Sequence, residues 1–209
     1  ESAQLTNLGD ALAKSNRLDE AREVYERVLA FDREGEGDVE NERIDYRRLG
    51  DLSVRLREYP EAIAWYEKAL VIAREHRGPG AEAVDRLAIG DAQLAAGDFA
   101  AARTSYDAMV EACRRAQDRS CESQALAAIA AVQVRGGEIE AALATEREAV
   151  RIEEELGNDV NVAIRTLVVG FAYQEVNRYA EALERYRRAE ALARGQGNAY
   201  LQRIVALDI

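Results

Sequence analysis

Leu49-Gly-Asp-Leu-Ser-Val-Arg-Leu-Arg-Glu-Tyr-Pro-Glu-Ala-Ile-Ala-Trp-Tyr66 is a small part of the 209-residue chain, and it decides the fold. Leu49, Leu52, Val54 and Leu56 recur at helical spacing, stop at the polar pair Arg57-Glu58, and give way to Tyr59, Ile63, Tyr66 and Leu70 at the same spacing. This pattern predicts two antiparallel helices joined by a tight loop. The frame occurs five times. Leu8-Gly9, Leu49-Gly50, Ile89-Gly90, Ile129-Ala130 and Val169-Gly170 lie 41, 40, 40 and 40 residues apart, and Ala21, Ala62, Ala102, Ala142 and Ala182 follow them at a constant distance. A chain that repeats itself in this way is a stack of like units rather than one globular fold. The expected units span 2–42, 43–82, 83–122, 123–162 and 163–197, with a terminal helix over 198–209, in one continuous all-α array.

Each frame position has a packing role. The turns fall at Asn16, Arg57, Gly97, Gly137 and Asn177, and Gly and Asn tolerate the left-handed conformation that ends a helix. Arg57 must take that geometry at some cost, or Pro60 resets the turn at the start of the next helix. Two residues on, Leu18, Tyr59, Phe99, Ile139 and Tyr179 are expected to wedge between the helices. The following alanine lets the backbones approach, and the Gly of Leu-Gly faces the same crossing. Tyr25, Tyr66, Tyr106 and Tyr186 are expected to fill the space between one unit and the next. Glu146 replaces tyrosine and Ala130 replaces glycine in the fourth unit, which is the most divergent.

Composition narrows the function. The chain is 48% hydrophobic and 32% charged with two prolines, as expected of an all-helical protein with a substantial core. The net charge of -11, from 28 Lys+Arg and 39 Asp+Glu, repels phosphate backbones, and no nucleic-acid partner is expected. No apolar run approaches the roughly 18 residues of a membrane span, and no signal-peptide pattern is present. Cys113 and Cys121 lack a CxxC spacing and read as two small free thiols of a cytoplasmic protein rather than a disulfide. The chain opens inside a helical pattern and closes on an apolar-rich helix with no stop signal, so it reads as a piece of a longer protein. Residues 32–42 form an acidic connector, and Gly78-Pro79-Gly80, Gly157-Asn158-Asp159 and Gly195-Gln196-Gly197 form the others, all too short for interdomain linkers.

The Leu-Gly pair, the turn Gly/Asn, the apolar wedge, the Ala and the Tyr, in phase across the chain, resemble the tetratricopeptide repeat family. The period of 40–41 is longer than the family's about 34. The usual closing proline is absent, its place taken by Arg33, Arg74, Arg114, Glu154 and Arg194, so both helices should run longer. This variant looks like the repeats of kinesin light chains and of sensor arrays in bacterial signalling ATPases. The resemblance implies a right-handed α-solenoid superhelix of five antiparallel helix pairs, with a concave groove lined by the first helix of each unit.

No enzyme signature is found. His76 lies at a helix end with no nucleophile or acid held against it, and one His with two Cys cannot close a metal site. Every glycine belongs to a turn or a helix crossing, so no phosphate-cradling loop exists. No cofactor or metal is expected.

The groove positions implied by the family are Asn7, Asp10 and Lys14 in the first unit and Arg47, Arg48, Asp51 and Arg55 in the second. The third supplies Leu87, Asp91 and Leu94, and the fourth Gln124, Ala127, Ala131 and Val134. The fifth supplies Ile164, Leu167, Val168, Phe171 and Gln174. The wall runs from charged to apolar. Asp10, Asp51 and Asp91 should form an acidic ladder, which either receives Lys, Arg or backbone N–H groups of a ligand or pairs internally with arginines such as Arg48 and Arg55. The apolar group around Leu167, Val168 and Phe171 is either a binding patch or the seat of the final helix or a further repeat. The family's clamp for chaperone C-terminal carboxylates needs Lys and Asn where Thr6 and Asp10 stand, so that activity is not expected. The expectation is a non-catalytic scaffold that binds a protein or peptide, with two alternatives. One is a regulatory sensor segment of a multidomain signalling ATPase or enzyme, docking on a neighbouring domain of its own chain; the other is a self-associating structural module, a homo-oligomer formed through the C-terminal helix.

Overall fold

The computed structural model describes residues 2–34 and 39–195. The described residues form ten α-helices: α1 Ser2–Lys14, α2 Leu18–Glu34, α3 Val39–Arg55, α4 Tyr59–Ile72, α5 Pro79–Ala96, α6 Phe99–Arg115, α7 Arg119–Arg135, α8 Ile139–Glu155, α9 Asp159–Glu175 and α10 Tyr179–Gly195. The fold is an all-α solenoid of helix pairs. The expected terminal helix over 198–209 lies outside the described residues, as does part of the acidic connector.

The 40-residue period has a simple anatomy. In the fourth repeat α7 and α8 are each 17 residues long, and turns at 136–138 and 156–158 complete the repeat. The turns inside the repeats share one geometry. Asn16, Arg57, Gly97, Gly137 and Asn177 all have positive φ, between 59° and 85°. Around Arg57, its N–H donates to the Val54 carbonyl at 3.0 Å and that of Glu58 to the Ser53 carbonyl at 2.8 Å. These two bonds satisfy carbonyls that the end of α3 would leave bare. Arg57 therefore adopts the left-handed conformation itself, at φ 63°, instead of being displaced by Pro60. Gln117 and Gly157 repeat the device between units, at φ 55° and 68°. Before α5 the chain departs from it: α4 runs into a π turn, Ala73–Arg77, closed by the Gly78 N–H on the Ala73 carbonyl at 2.9 Å.

The chain divides into two compact units, Glu1–Ala112 and Cys113–Ile209. In the first, α1 packs on α2, α2 on α3, α3 on α4 and α4 on α5. Its core joins Leu12, Tyr25, Leu29, Leu49 and Leu52 around the fully buried Ala21 and Ala69. Tyr46 stacks on Trp65 at 5.8 Å between ring centres, and the Lys68 ammonium sits 3.9 Å above the Trp65 ring. In the second unit α7 packs on α8, α8 on α9 and α9 on α10, with Leu143, Val169, Tyr173 and Tyr186 around Ala163 and Ala189.

The expectation of two free thiols is overturned. Cys113 and Cys121 form a disulfide. The three-residue turn after α6 brings their α-carbons to 5.5 Å, within the range a disulfide bridges, so a spacing that looked uninformative becomes a pairing.

Candidate functional site

The recurring glycine, tyrosine and aspartate are one device. In the second repeat the Tyr66 ring lies against the Gly50 backbone, where an added β-carbon would stand 2.4 Å from it. The ring is thereby held so that its hydroxyl donates to Asp51 at 2.7 Å. Tyr25 donates to Asp10 at 2.7 Å and Tyr106 to Asp91 at 2.6 Å in the same way. Burial first, then the carboxylate, pushes the Tyr66 and Tyr25 hydroxyls far above the usual phenol range. The tyrosine thus seats on the glycine of its own repeat and also clusters with the next repeat, Tyr66 with Ile89 and Ala92 and Tyr25 with Leu49 and Leu52. In the fifth repeat Gly170 and Tyr186 pack alike, and with no aspartate after the glycine the hydroxyl reaches Gln174 at 2.8 Å.

The acidic ladder is therefore tied to tyrosines, not to arginines. Arg48 instead pairs with Asp45 at 2.9 Å, and Arg47 approaches Asp85 at 3.3 Å. Asp85 is fully buried and accepts from Arg43 Nη1 on both oxygens, at 3.0 and 2.9 Å, while Nη2 and Nε of Arg43 donate to Glu40. Burial pushes Asp85 above the usual carboxylate range, opposed by Arg43. Burial likewise pushes Asp45 up to about 6, opposed by Arg48.

Two clefts on the first unit gather the predicted residues. One, of about 290 Å³, lies among α3, α4 and α5. Arg47, Asp51 and Asp91 stand on its walls with Tyr66, and Val54, Val84 and Leu87 supply an apolar surface. Val84 is 42% exposed. Each of Asp51 and Asp91 uses one oxygen for its tyrosine, leaving the other for an incoming donor. The second cleft, of about 380 Å³, is lined by Asn7, Asn41, Asp32 and Arg48. Lys14 is exposed at the end of α1, and Arg55 closes α3 with its guanidinium 3.5 Å from the Asn16 side chain. Leu94 is half-buried on α5.

The second unit distributes its predicted residues differently. Gln124 is exposed on α7, and Phe171 is 39% exposed on α9, edge-on to Tyr186 at 5.5 Å. Leu167 is not a wall residue. It is only 4% exposed and packs with Leu143, Tyr173 and Tyr186, so its place on the expected binding surface is corrected to the core. Glu146, which replaces the tyrosine, is 3% exposed; burial, opposed by Arg165, pushes it up to about 7.

The arginines in place of the family's proline also have a function the sequence did not disclose. Arg33 meets Glu42 at 3.5 Å, Arg74 meets Glu82 at 2.9 Å and Arg114 meets Glu122 at 2.8 Å. Each pair clamps the end of one repeat to the first turn of the next. The recurring spacing of eight or nine residues between Arg and Glu is the signal that could have revealed it.

Among the described residues no group of three His, Cys, Asp or Glu side chains could hold a metal, and no helix is long and apolar enough to cross a membrane. His76 is exposed, 3.7 Å from the Glu75 carboxylate.

No curated protein matches the chain in sequence. Among solved structures it is similar to BtubC (BKLC) from P. vanneervenii, at 17% identity and a TM-score of 0.79, covering 94% of this chain and 81% of that one. It is also similar to the putative kinesin light chain TPR-like repeats of Podosopora anserina, at 15% identity and a TM-score of 0.75, covering 93% and 96%. A Rap protein complexed with Competence and Sporulation Factor matches at 14% identity and a TM-score of 0.71, covering 96% of this chain and 56% of that one. At these identities the likeness is one of fold. The tetratricopeptide repeat profile matches residues 1–75 and again 40–115. With more than half of the chain matched in sequence and the repeat anatomy in place, the protein belongs to the tetratricopeptide repeat family.

Proposed function

We propose that the chain is a non-catalytic scaffold that binds a protein or peptide segment on the face formed by the first helices of its repeats. The observation that carries this reading is the cleft among α3, α4 and α5. It combines Arg47, two carboxylates with a spare oxygen each, and the apolar surface of Val54, Val84 and Leu87. An extended peptide could lay backbone N–H groups or a basic side chain on Asp51 and Asp91, a carbonyl or carboxylate on Arg47, and an apolar side chain between them. The tyrosine bonds hold the two carboxylates in place before a ligand arrives, which lowers the ordering cost of binding. Phage display of random 12-residue peptides against the chain tests this, followed by mapping of the amide signals that a selected peptide shifts. Shifts centred on α3 and α5 are expected. Selected peptides whose shifts all fall elsewhere would remove the cleft as the site.

A second reading makes the chain a regulatory segment within a larger signalling protein. Its support is the likeness to the Rap protein, of which this chain spans just over half the length and whose structure is a complex with a factor. In that case the same cleft would take a segment of a neighbouring domain of its own chain. The sequence encoded on either side of these residues discriminates the two.

A further inference from the structure

The junction of α8, α9 and α10 carries guanidinium groups that the repeat frame does not require. Arg147 and Glu154 on α8 and Arg185 and Arg188 on α10 line a cleft of about 160 Å³, with Val150 and Val169 as apolar surface. One period earlier in the chain, the positions of Arg147, Arg185 and Arg188 hold Asp107, Thr145 and Glu148; two periods earlier they hold Glu67, Ser105 and Ala108. The three arginines are therefore not a feature of the repeat frame but peculiar to this place in the chain.

Their charges are poorly compensated. Only Arg188 has a carboxylate across the cleft, Glu154, with which it pairs. Arg147 donates to the Tyr173 hydroxyl, a neutral acceptor. Arg185 reaches only its chain neighbour Glu184, at 3.9 Å, and its buried Nε has no hydrogen-bond partner. Three guanidinium groups thus line one small cleft whose lining holds a single carboxylate, Glu154, in a chain whose net charge is -11. An unpartnered buried N–H is costly unless an acceptor arrives.

We propose that this cleft binds the dianionic phosphoryl group of a phosphate monoester. The excess of three guanidinium groups over one carboxylate in the cleft lining matches a dianion. Guanidinium forks suit the oxygens of phosphate in bidentate contacts. Val150 and Val169 bring no donor or acceptor, so they suit the ester carbon rather than further polar atoms. The size of the cleft suits a phosphoryl group with its nearest substituent, whether carried by a phosphorylated side chain of a protein or by a small phosphate ester.

The test is a titration of the chain at low salt, followed through the Arg Nε–H signals, with inorganic phosphate, a phosphoserine tripeptide and acetate. Phosphate and the tripeptide are expected to shift the signals of Arg147 and Arg185, and acetate to bind at least about 10-fold more weakly. Arg147→Gln and Arg185→Gln should each weaken the tripeptide by about 10-fold or more, with unchanged helical circular dichroism. A tripeptide tighter than inorganic phosphate assigns the ligand to a phosphorylated protein, and equal affinities assign it to a free phosphate species. No shift of these arginine signals in the unmodified chain, or acetate binding as tightly as phosphate, would overturn the proposal, and neither result depends on how the variants fold.

Discussion

The Tyr66 ring occupies the space beside Gly50 into which any β-carbon would project, 2.4 Å from the nearest ring carbon. Glycine is otherwise a poor helix residue, so its recurrence inside the first helices answers a steric demand rather than a conformational one. Unit four shows the converse: with Glu146 in place of the tyrosine, the glycine position is free to become Ala130.

A double-mutant cycle measures this coupling. Alanine gains about 1 kcal/mol over glycine in a helix interior, but overpacking against the ring costs about 1–3 kcal/mol. Gly50→Ala is expected to destabilise the chain by about 1–2 kcal/mol. In a Tyr66→Ala background the same change should become stabilising by up to about 1 kcal/mol. Urea unfolding of the four proteins gives the coupling energy, and additive effects would refute the steric account.

At the turn after α3, the exposed Arg57 holds φ at 63°. An L-residue there forfeits about 1–2 kcal/mol. Arg57→Gly should stabilise by about 0.5–1 kcal/mol, because glycine's greater freedom in the unfolded chain takes back part of the gain. Thermal unfolding checks the sign.

Glu146 makes stability depend on pH. Its folded value of about 7 lies above the ordinary 4.5, so between those values the folded chain holds a proton that the unfolded chain has released. Stability therefore falls as pH rises through that window and levels off above it. Relative to Glu146→Gln, the unmodified chain should lose about 1–3 kcal/mol between pH 4.5 and 7.5. Parallel stability curves for the two proteins would exclude an ionisable buried Glu146.

The Cys113–Cys121 disulfide is directly countable. The folded, unreduced chain should offer no thiol to an alkylating reagent, and two after reduction. Closing so short a loop should contribute about 2 kcal/mol by its effect on the unfolded chain, a loss that Cys121→Ser reproduces.

The frame was legible because each of its positions answers a packing demand that every repeat shares: a left-handed turn at Asn16 or Gly97, a small residue at Ala62, a ring at Tyr106. Bonds made across the frame were harder to read. Tyr66 and Asp51 are 15 residues apart and on different helices, and only the ring's seat on Gly50 brings the hydroxyl to the carboxylate. The same holds for Arg114 and Glu122, which lie on successive helices and meet at 2.8 Å. Leu167 was misplaced because its repeat equivalents, Arg47 and Leu87, are partly exposed while the cluster around Tyr186 closes over it. The two cysteines were misread because a turn, not a spacing motif, brings them together. Differences between repeats, more than the repeat itself, locate the candidate sites: aspartates and Arg47 in the first unit, arginines at the α8–α10 junction in the second.

The most direct test of the scaffold reading is the affinity of one display-selected peptide for the unmodified chain and for an Asp51→Asn/Asp91→Asn variant, by calorimetry. Both aspartates also accept tyrosine hydroxyls, which asparagine can still do through its carbonyl oxygen, so the packing of Tyr66 and Tyr106 should survive. A cleft that receives peptide donors on these carboxylates predicts a loss of about 10-fold or more, at about 1.4 kcal/mol per tenfold. An unchanged affinity in a variant that unfolds at the same urea concentration would contradict it.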